Sequence, residues 1–159
     1  IHPIASLQPP YSLLERGAED DLLEFCAANE IGVIVYSPMQ NGLLTGKYTR
    51  EAIAAMSDED WRKDRSPHFQ EPQLSPNLAL VDGLRPIAQR HGKTVAQLAI
   101  AWVLRRPEVT GAIVGSRKPS HLEETVAAGD WELDPEAVAE IDALLAQRDR
   151  AAGEAGGFL

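Results

Sequence analysis

The sequence predicts an α/β fold of parallel strands joined by helices, and three observations predict it. Apolar, β-branched runs fall at residues 4–8, 31–36 and 109–114, separated by stretches with helical spacing of apolar residues. The middle run, Ile31-Gly-Val-Ile-Val-Tyr36, is nearly unbroken, the pattern of a strand buried on both faces and hence of a parallel sheet. Helix start and stop signals fill the intervals between the runs.

Each element follows from its residues. Residues 4–8 are short and mostly apolar and end at Pro9-Pro10, as a strand closed by a turn does. Over residues 17–29, Leu22, Leu23, Phe25, Cys26 and Ala27 form one side of a helix, with Glu19, Asp20 and Asp21 in the first turn where the macrodipole favours acids. After the strand at 31–36 comes a polar, Gly- and Pro-rich segment to about residue 75, too long for a plain connector, in which residues 50–61 can form a short helix. Ser75-Pro76 reads as a cap and first helical residue, and Leu80, Leu84, Ile87 and Ala88 carry that helix to Gly92. Thr94 and Gln97 form a capping-box pattern ahead of an apolar helix that ends near Pro107. The third strand at 109–114 is followed by a helix through about residue 128, and Asp134-Pro135 opens a last one. Residues 1–150 are expected to form one folded unit, and residues 151–159, with Gly153, Gly156 and Gly157, a flexible tail.

Composition narrows the function. The 159 residues are 44% hydrophobic and 25% charged, ordinary for a soluble globular domain, which excludes disorder, collagen and coiled coil. A net charge of -9 repels a phosphate backbone or an anionic leaflet, so neither nucleic acid nor membrane is an expected partner. The single cysteine, Cys26, cannot form an internal disulfide and reads as a small core residue in a reducing, cytoplasmic setting. The scattered histidines do not make a metal site. Three strands leave two open sheet edges, so missing N-terminal strands or a partner chain is expected to close the sheet, and a first residue of Ile1 fits an incomplete chain.

In α/β folds ligands lie beyond the carboxyl ends of the strands, which directs attention to Gln8, to residues 36–47 and to residues 115–124. Gln8 is either a turn residue or an amide able to both donate to and accept from a carboxamide. Ser37, Pro38, Met39, Gly42, Leu44 and Lys47 lie in a loop with two glycines and a terminal ammonium. Such a loop is either a plain connector or a close backbone approach to an anion. Gly115-Ser116-Arg117-Lys118 precedes a helix start and reads as a solvated basic turn or a phosphate cradle. In an acidic protein, the clustering of Lys47, Arg117 and Lys118 in loops after successive strands favours the anion reading. Tyr36 would then offer a ring beside the site.

The segments LQPPYSLLER, GVIVYSPMQNGLLTGKY and AQLAIAWVLRRPEVTGAIVGSRKPSHLEE resemble the C-terminal part of an aldo-keto reductase, and the resemblance covers nearly the whole chain. It implies a TIM (β/α)8 barrel, of which this sequence holds about strands six to eight with their helices, an NADP(H) cofactor, and reduction of an aldehyde or ketone by hydride transfer. It implies that Gln8 binds the nicotinamide carboxamide and Tyr36 stacks on the ring. Residues from Ser37 to Lys47 would wrap the pyrophosphate. Ser116 and Arg117 would hold the 2'-phosphate, and Glu124 would lie near the adenine. His121 and Thr125 stand where the family usually has Gln or Arg and Asn. The family's catalytic Asp, Tyr, Lys and His lie on earlier strands and are not in this sequence. The isolated chain is therefore expected to be inactive, and no residue here is assigned a catalytic role. The alternative is a non-catalytic nucleotide-binding module that associates with a partner subunit.

Overall fold

A computed structural model describes residues 2–116 and 118–156 of the chain. Three parallel strands form one sheet in the order β1-β2-β3: β1 Ser6–Leu7, β2 Gly32–Tyr36 and β3 Val109–Ile113. Ser6 pairs with Gly32 and Leu7 with Val33, and Tyr36 pairs with Ile113 after a register shift between Val33 and Ile34. β1 is shorter than the 4–8 run predicts and stops before Pro9 and Pro10, which have no N–H to carry the ladder on. The main chain nevertheless stays beside β2: Tyr36 N donates to Pro9 O at 3.1 Å and Tyr11 N to Tyr36 O at 3.2 Å.

Between the strands lie α1 Leu22–Ala28, α2 Arg50–Ala54, α3 Trp61–Arg65, α4 Leu74–Arg90, α5 Val95–Leu104, α6 Pro119–Val126, and at the end α7 Pro135–Gly156. The chain forms two compact units, Ile1–Gln40 with Ala96–Leu133, and Asn41–Val95 with Asp134–Leu159.

The first unit contains the sheet. Val33 and Val35 are fully buried, as are Leu23 and Cys26 of α1, which packs on β2. The opposite face differs from the expectation of a strand buried on both sides: Ile34 is half-buried, and Tyr36 and Ile113 are 41% and 45% exposed. Tyr11 and Trp102 are in ring contact within this core, with centroids 5.2 Å apart.

The second unit is helical, and the long 37–75 segment supplies several short pieces where one helix at 50–61 is predicted. Thr49 and Asp60 cap α2 and α3 with their side chains, splitting the segment in two. α4 begins at Leu74, before the predicted Ser75-Pro76 start. Glu71 caps it from outside, accepting from Ser75 N at 3.2 Å and from Ser75 Oγ at 2.7 Å. α4 packs on α7. Their approach is so close at Gly83 that an added Cβ would stand 2.6 Å from Leu144 Cδ2. Arg90 pairs with Glu140, and Arg148 donates to Asn77 Oδ1 at 2.9 Å and Gln73 Oε1 at 2.7 Å along the same seam. Asp134 caps α7 as expected, accepting from Ala137 N at 2.7 Å. The helix then runs to Gly156, so residues 151–156, expected as a flexible tail, are helical. Ala152 is buried, and packing outweighs the poor helix propensity of Gly153 and Gly156.

Candidate functional site at the carboxyl edge of the sheet

Parallel strands put all their carboxyl ends on one edge, and the first unit therefore brings Gln8, Tyr36 and Gly115-Ser116 to the same rim. Gln8 is exposed one residue past β1. Tyr36 is the last residue of the adjacent strand, on the same sheet face as Ile113, its ring partly open to solvent and fixed at the backbone from both sides by Pro9 and Tyr11. An amide and an aromatic ring on neighbouring strand ends can bind a flat carboxamide-bearing ring, the amide pairing with the carboxamide and the phenol ring stacking.

Directly after Tyr36 the backbone turns sharply. Ser37 and Gln40 have φ of 57° and 44°, and Gln40 N donates to Ser37 O at 2.9 Å. Pro38 is buried and Met39 half-buried, so within this turn Ser37 and Met39 are the accessible side chains. The turn is locked by two buried residues that sequence reading missed: Ser12 Oγ donates to Gln40 Oε1 at 2.9 Å. The same hydroxyl accepts from Leu14 N and Glu15 N at 3.2 and 3.1 Å. One hydroxyl thus ties the segment after β1 to the segment after β2. A serine closing a turn on its own backbone is a readable local signal; its partner 28 residues away is not.

In the second unit, Gly42 has φ of 94° and Gly46 of 72°, conformations that glycine adopts freely. Lys47 is exposed, whereas the Leu44 side chain is fully buried and leaves only its main chain to present.

Beyond β3, Gly115 and Ser116 are exposed, and Ser116 Oγ donates to Lys118 O at 2.8 Å just ahead of α6. Arg117 lies outside the described residues. His121 and Glu124, three residues apart, share a face of α6 and are half-buried. Thr125 is not presented with them: it is buried and its hydroxyl donates to His121 O at 2.9 Å and Leu122 O at 3.1 Å. The Glu124 carbonyl accepts from Gln97 Nε2 at 3.0 Å, anchoring α6 to α5.

Tyr11 is not available for proton transfer. It is fully buried, and burial, followed by donation of its hydroxyl to Glu19 Oε1 at 2.5 Å, pushes the phenol well above its ordinary pKa despite the Arg105 guanidinium 3.2 Å away. Arg105 in turn lies 3.8 Å from the Trp102 ring centroid, so this cluster is a structural junction of β1's outgoing segment and α5. Among the described residues no three metal-ligating side chains gather.

Comparison with known proteins identifies the family and the fold. The chain is 36% identical over 146 residues to the aldo-keto reductase YhdN of Bacillus subtilis, covering 91% of this chain and 43% of that protein. It is 33% identical over 124 residues to the NADH-specific methylglyoxal reductase of Escherichia coli, covering 77% of this chain and 36% of that one. The glycerol dehydrogenase of Gluconobacter oxydans superimposes with a TM-score of 0.85 at 33% identity, over 93% of this chain and 44% of the enzyme. The chain thus spans less than half the length of these relatives, and its α/β sheet has the architecture of part of a TIM barrel. Residues 1–146 match the aldo/keto reductase family, and the chain belongs to that family.

Proposed function

We propose that this chain is the cofactor-holding part of a cytoplasmic NADP-dependent aldo-keto reductase that reduces an aldehyde or ketone to an alcohol. One observation carries the reading: Gln8, Tyr36 and the Gly115-Ser116 turn, far apart in sequence, stand on one rim of one parallel sheet. Family membership supplies the chemistry to which that rim is matched.

In this reading the nicotinamide cofactor, when bound, supplies the hydride. The chain's own residues orient it. The Gln8 amide would pair with the carboxamide and Tyr36 would cover one face of the ring, leaving the other face open to substrate. Ser37, Met39 and the backbone of Gly42 and Leu44, with the Lys47 ammonium, hold the pyrophosphate. Ser116 and Arg117, ahead of the positive end of α6, hold the 2'-phosphate. His121 and Glu124 border the adenine. Thr125, its hydroxyl committed to its own helix, shapes that border from within. The acid that protonates the substrate oxygen and the remaining barrel strands are proposed to lie outside these 159 residues, since a full barrel takes about 250. By itself the chain is expected to turn over no substrate.

A second reading, with NADH as cofactor, is favoured by the NADH specificity carried in the name of the Escherichia coli relative. The general reading is tested by dinucleotide titration of the complete protein. Tyr36→Ala should weaken binding by about 2- to 13-fold, the loss of a stacked ring worth roughly 0.5–1.5 kcal/mol. Unchanged affinity in both Tyr36→Ala and Gln8→Ala would remove the nicotinamide from this rim.

A further inference from the structure

Two arginines of the second unit grip the turn between Asn41 and Tyr48 by its carbonyls. Arg62 Nη1 donates to Asn41 O at 3.3 Å and to the Tyr48 hydroxyl at 2.5 Å. The other side of the same guanidinium is held by Asp60, through Nε at 2.9 Å and Nη2 at 2.5 Å, and Asp60 also caps α3 at Arg62 N. The group lies over the rings of Tyr48 and Phe69, at 5.2 and 5.8 Å from their centroids, and its side chain is only 16% exposed. At the far end of the turn, Arg85 Nη2 donates to Gly46 O at 2.7 Å, and Asp82, one helical turn back on α4, holds its Nε at 3.0 Å. The arrangement is the same twice over: an acid on the arginine's own element fixes it, and the arginine passes one N–H to a turn carbonyl.

The carbonyls chosen are informative. Asn41 and Gly46 both lie in left-handed backbone, at φ of 56° and 72°, with Gly42 at 94° between them. In a planar trans peptide the C=O and the following N–H point to opposite sides. Drawing Asn41 O toward Arg62 therefore turns the amide of Gly42 the other way; the Lys47 amide is held inside the turn, donating to Thr45 Oγ1 at 3.4 Å, while the Lys47 side chain is exposed. An anion at this turn would be met by the Gly42 N–H and the Lys47 ammonium, with the carbonyls of Asn41, Gly42 and Gly46 already engaged elsewhere.

We infer that Arg62 and Arg85 are positioning residues that preset the Gly42–Lys47 turn for a dinucleotide's diphosphate, acting through the turn's carbonyls rather than as phosphate ligands. This rests on the cofactor reading above. In the complete protein, Arg62→Ala and Arg85→Ala should each speed hydrogen exchange of the 41–48 amides. Each should also lower dinucleotide affinity about tenfold, the low end of what one hydrogen bond to a charged group contributes. Binding of nicotinamide mononucleotide, which has no diphosphate, should change little. Arg62→Lys keeps the charge and loses the planar fork, and should behave like Arg62→Ala. Tyr48→Phe removes only the hydroxyl that Arg62 donates to; it should move both readouts the same way by less, and it keeps the test alive if Arg62→Ala fails to fold. Unaltered exchange, or rescue by lysine, overturns the inference while the cofactor reading stands. A parent protein that binds no dinucleotide overturns both.

Discussion

The turn after β2 and the turn after β3 are proposed to hold opposite ends of one ligand, yet they are built differently. The first is held from inside: Ser12 and Gln40 are buried and bonded to each other, and Pro38 is buried. The second is presented to solvent: Gly115, Ser116 and Lys118 are exposed, and the Ser116 hydroxyl bonds within its own turn. Preset geometry favours affinity, because the ordering cost is met during folding. Exposed polar groups favour discrimination, because they are free to be matched or left unmatched by a ligand. In the proposed reading the nicotinamide ring and pyrophosphate, common to both cofactors, would face the fixed turn, and the 2'-phosphate, where the cofactors differ, would face the open one.

Three measurements break or sharpen this contrast. The largest effect is expected at the open turn. Arg117→Ala should cost NADPH about 1.5–3 kcal/mol, roughly 10- to 150-fold in affinity, and leave NADH nearly unchanged. Equal losses for both cofactors would strip the β3 turn of its discriminating role. Next comes the fixed turn: Ser12→Ala leaves the buried Gln40 carbonyl oxygen without its donor, at a cost of about 1–3 kcal/mol. Denaturant titration should show that loss, and NADH and NADPH should weaken together; a selective effect would mean the two turns share the work. The smallest concerns the start of β3, where Glu108 accepts from Arg106 at 3.1 Å. That bond holds the Glu108 carboxyl below its ordinary value of 4.5, so its stabilisation is present above that pH and lost as pH falls through the lowered value. Glu108→Gln should flatten the acid limb of a Tm–pH profile and lower stability near neutrality by about 0.2–1 kcal/mol, as a solvent-facing pair allows. An unchanged acid limb would mean the pair holds nothing in place.

The strands and the order of elements were legible because they rest on local apolar pattern: the Ile31–Tyr36 run could form little else, and Asp134-Pro135 capped its helix as written. The rim was legible too, since parallel strands leave no choice about where Gln8, Tyr36 and Ser116 emerge. Features resting on distant partners were not. The α4 start depends on Glu71 reaching forward to Ser75, and the end of α7 stays helical through its glycines with Ala152 buried. Ser37, Gln40 and Asn41 adopt positive φ without being glycine, which no propensity announces. Thr125, singled out by position, turns its hydroxyl inward because the nearest acceptors are its own helix's carbonyls.

The parallel order of the sheet has a practical consequence for anyone altering this molecule. Strand beginnings, such as the Arg106–Glu108 pair, sit at the opposite pole from the rim, about 17 Å away for a five-residue strand. Robustness and selectivity can thus be tuned by separate sets of substitutions, each blind to the other.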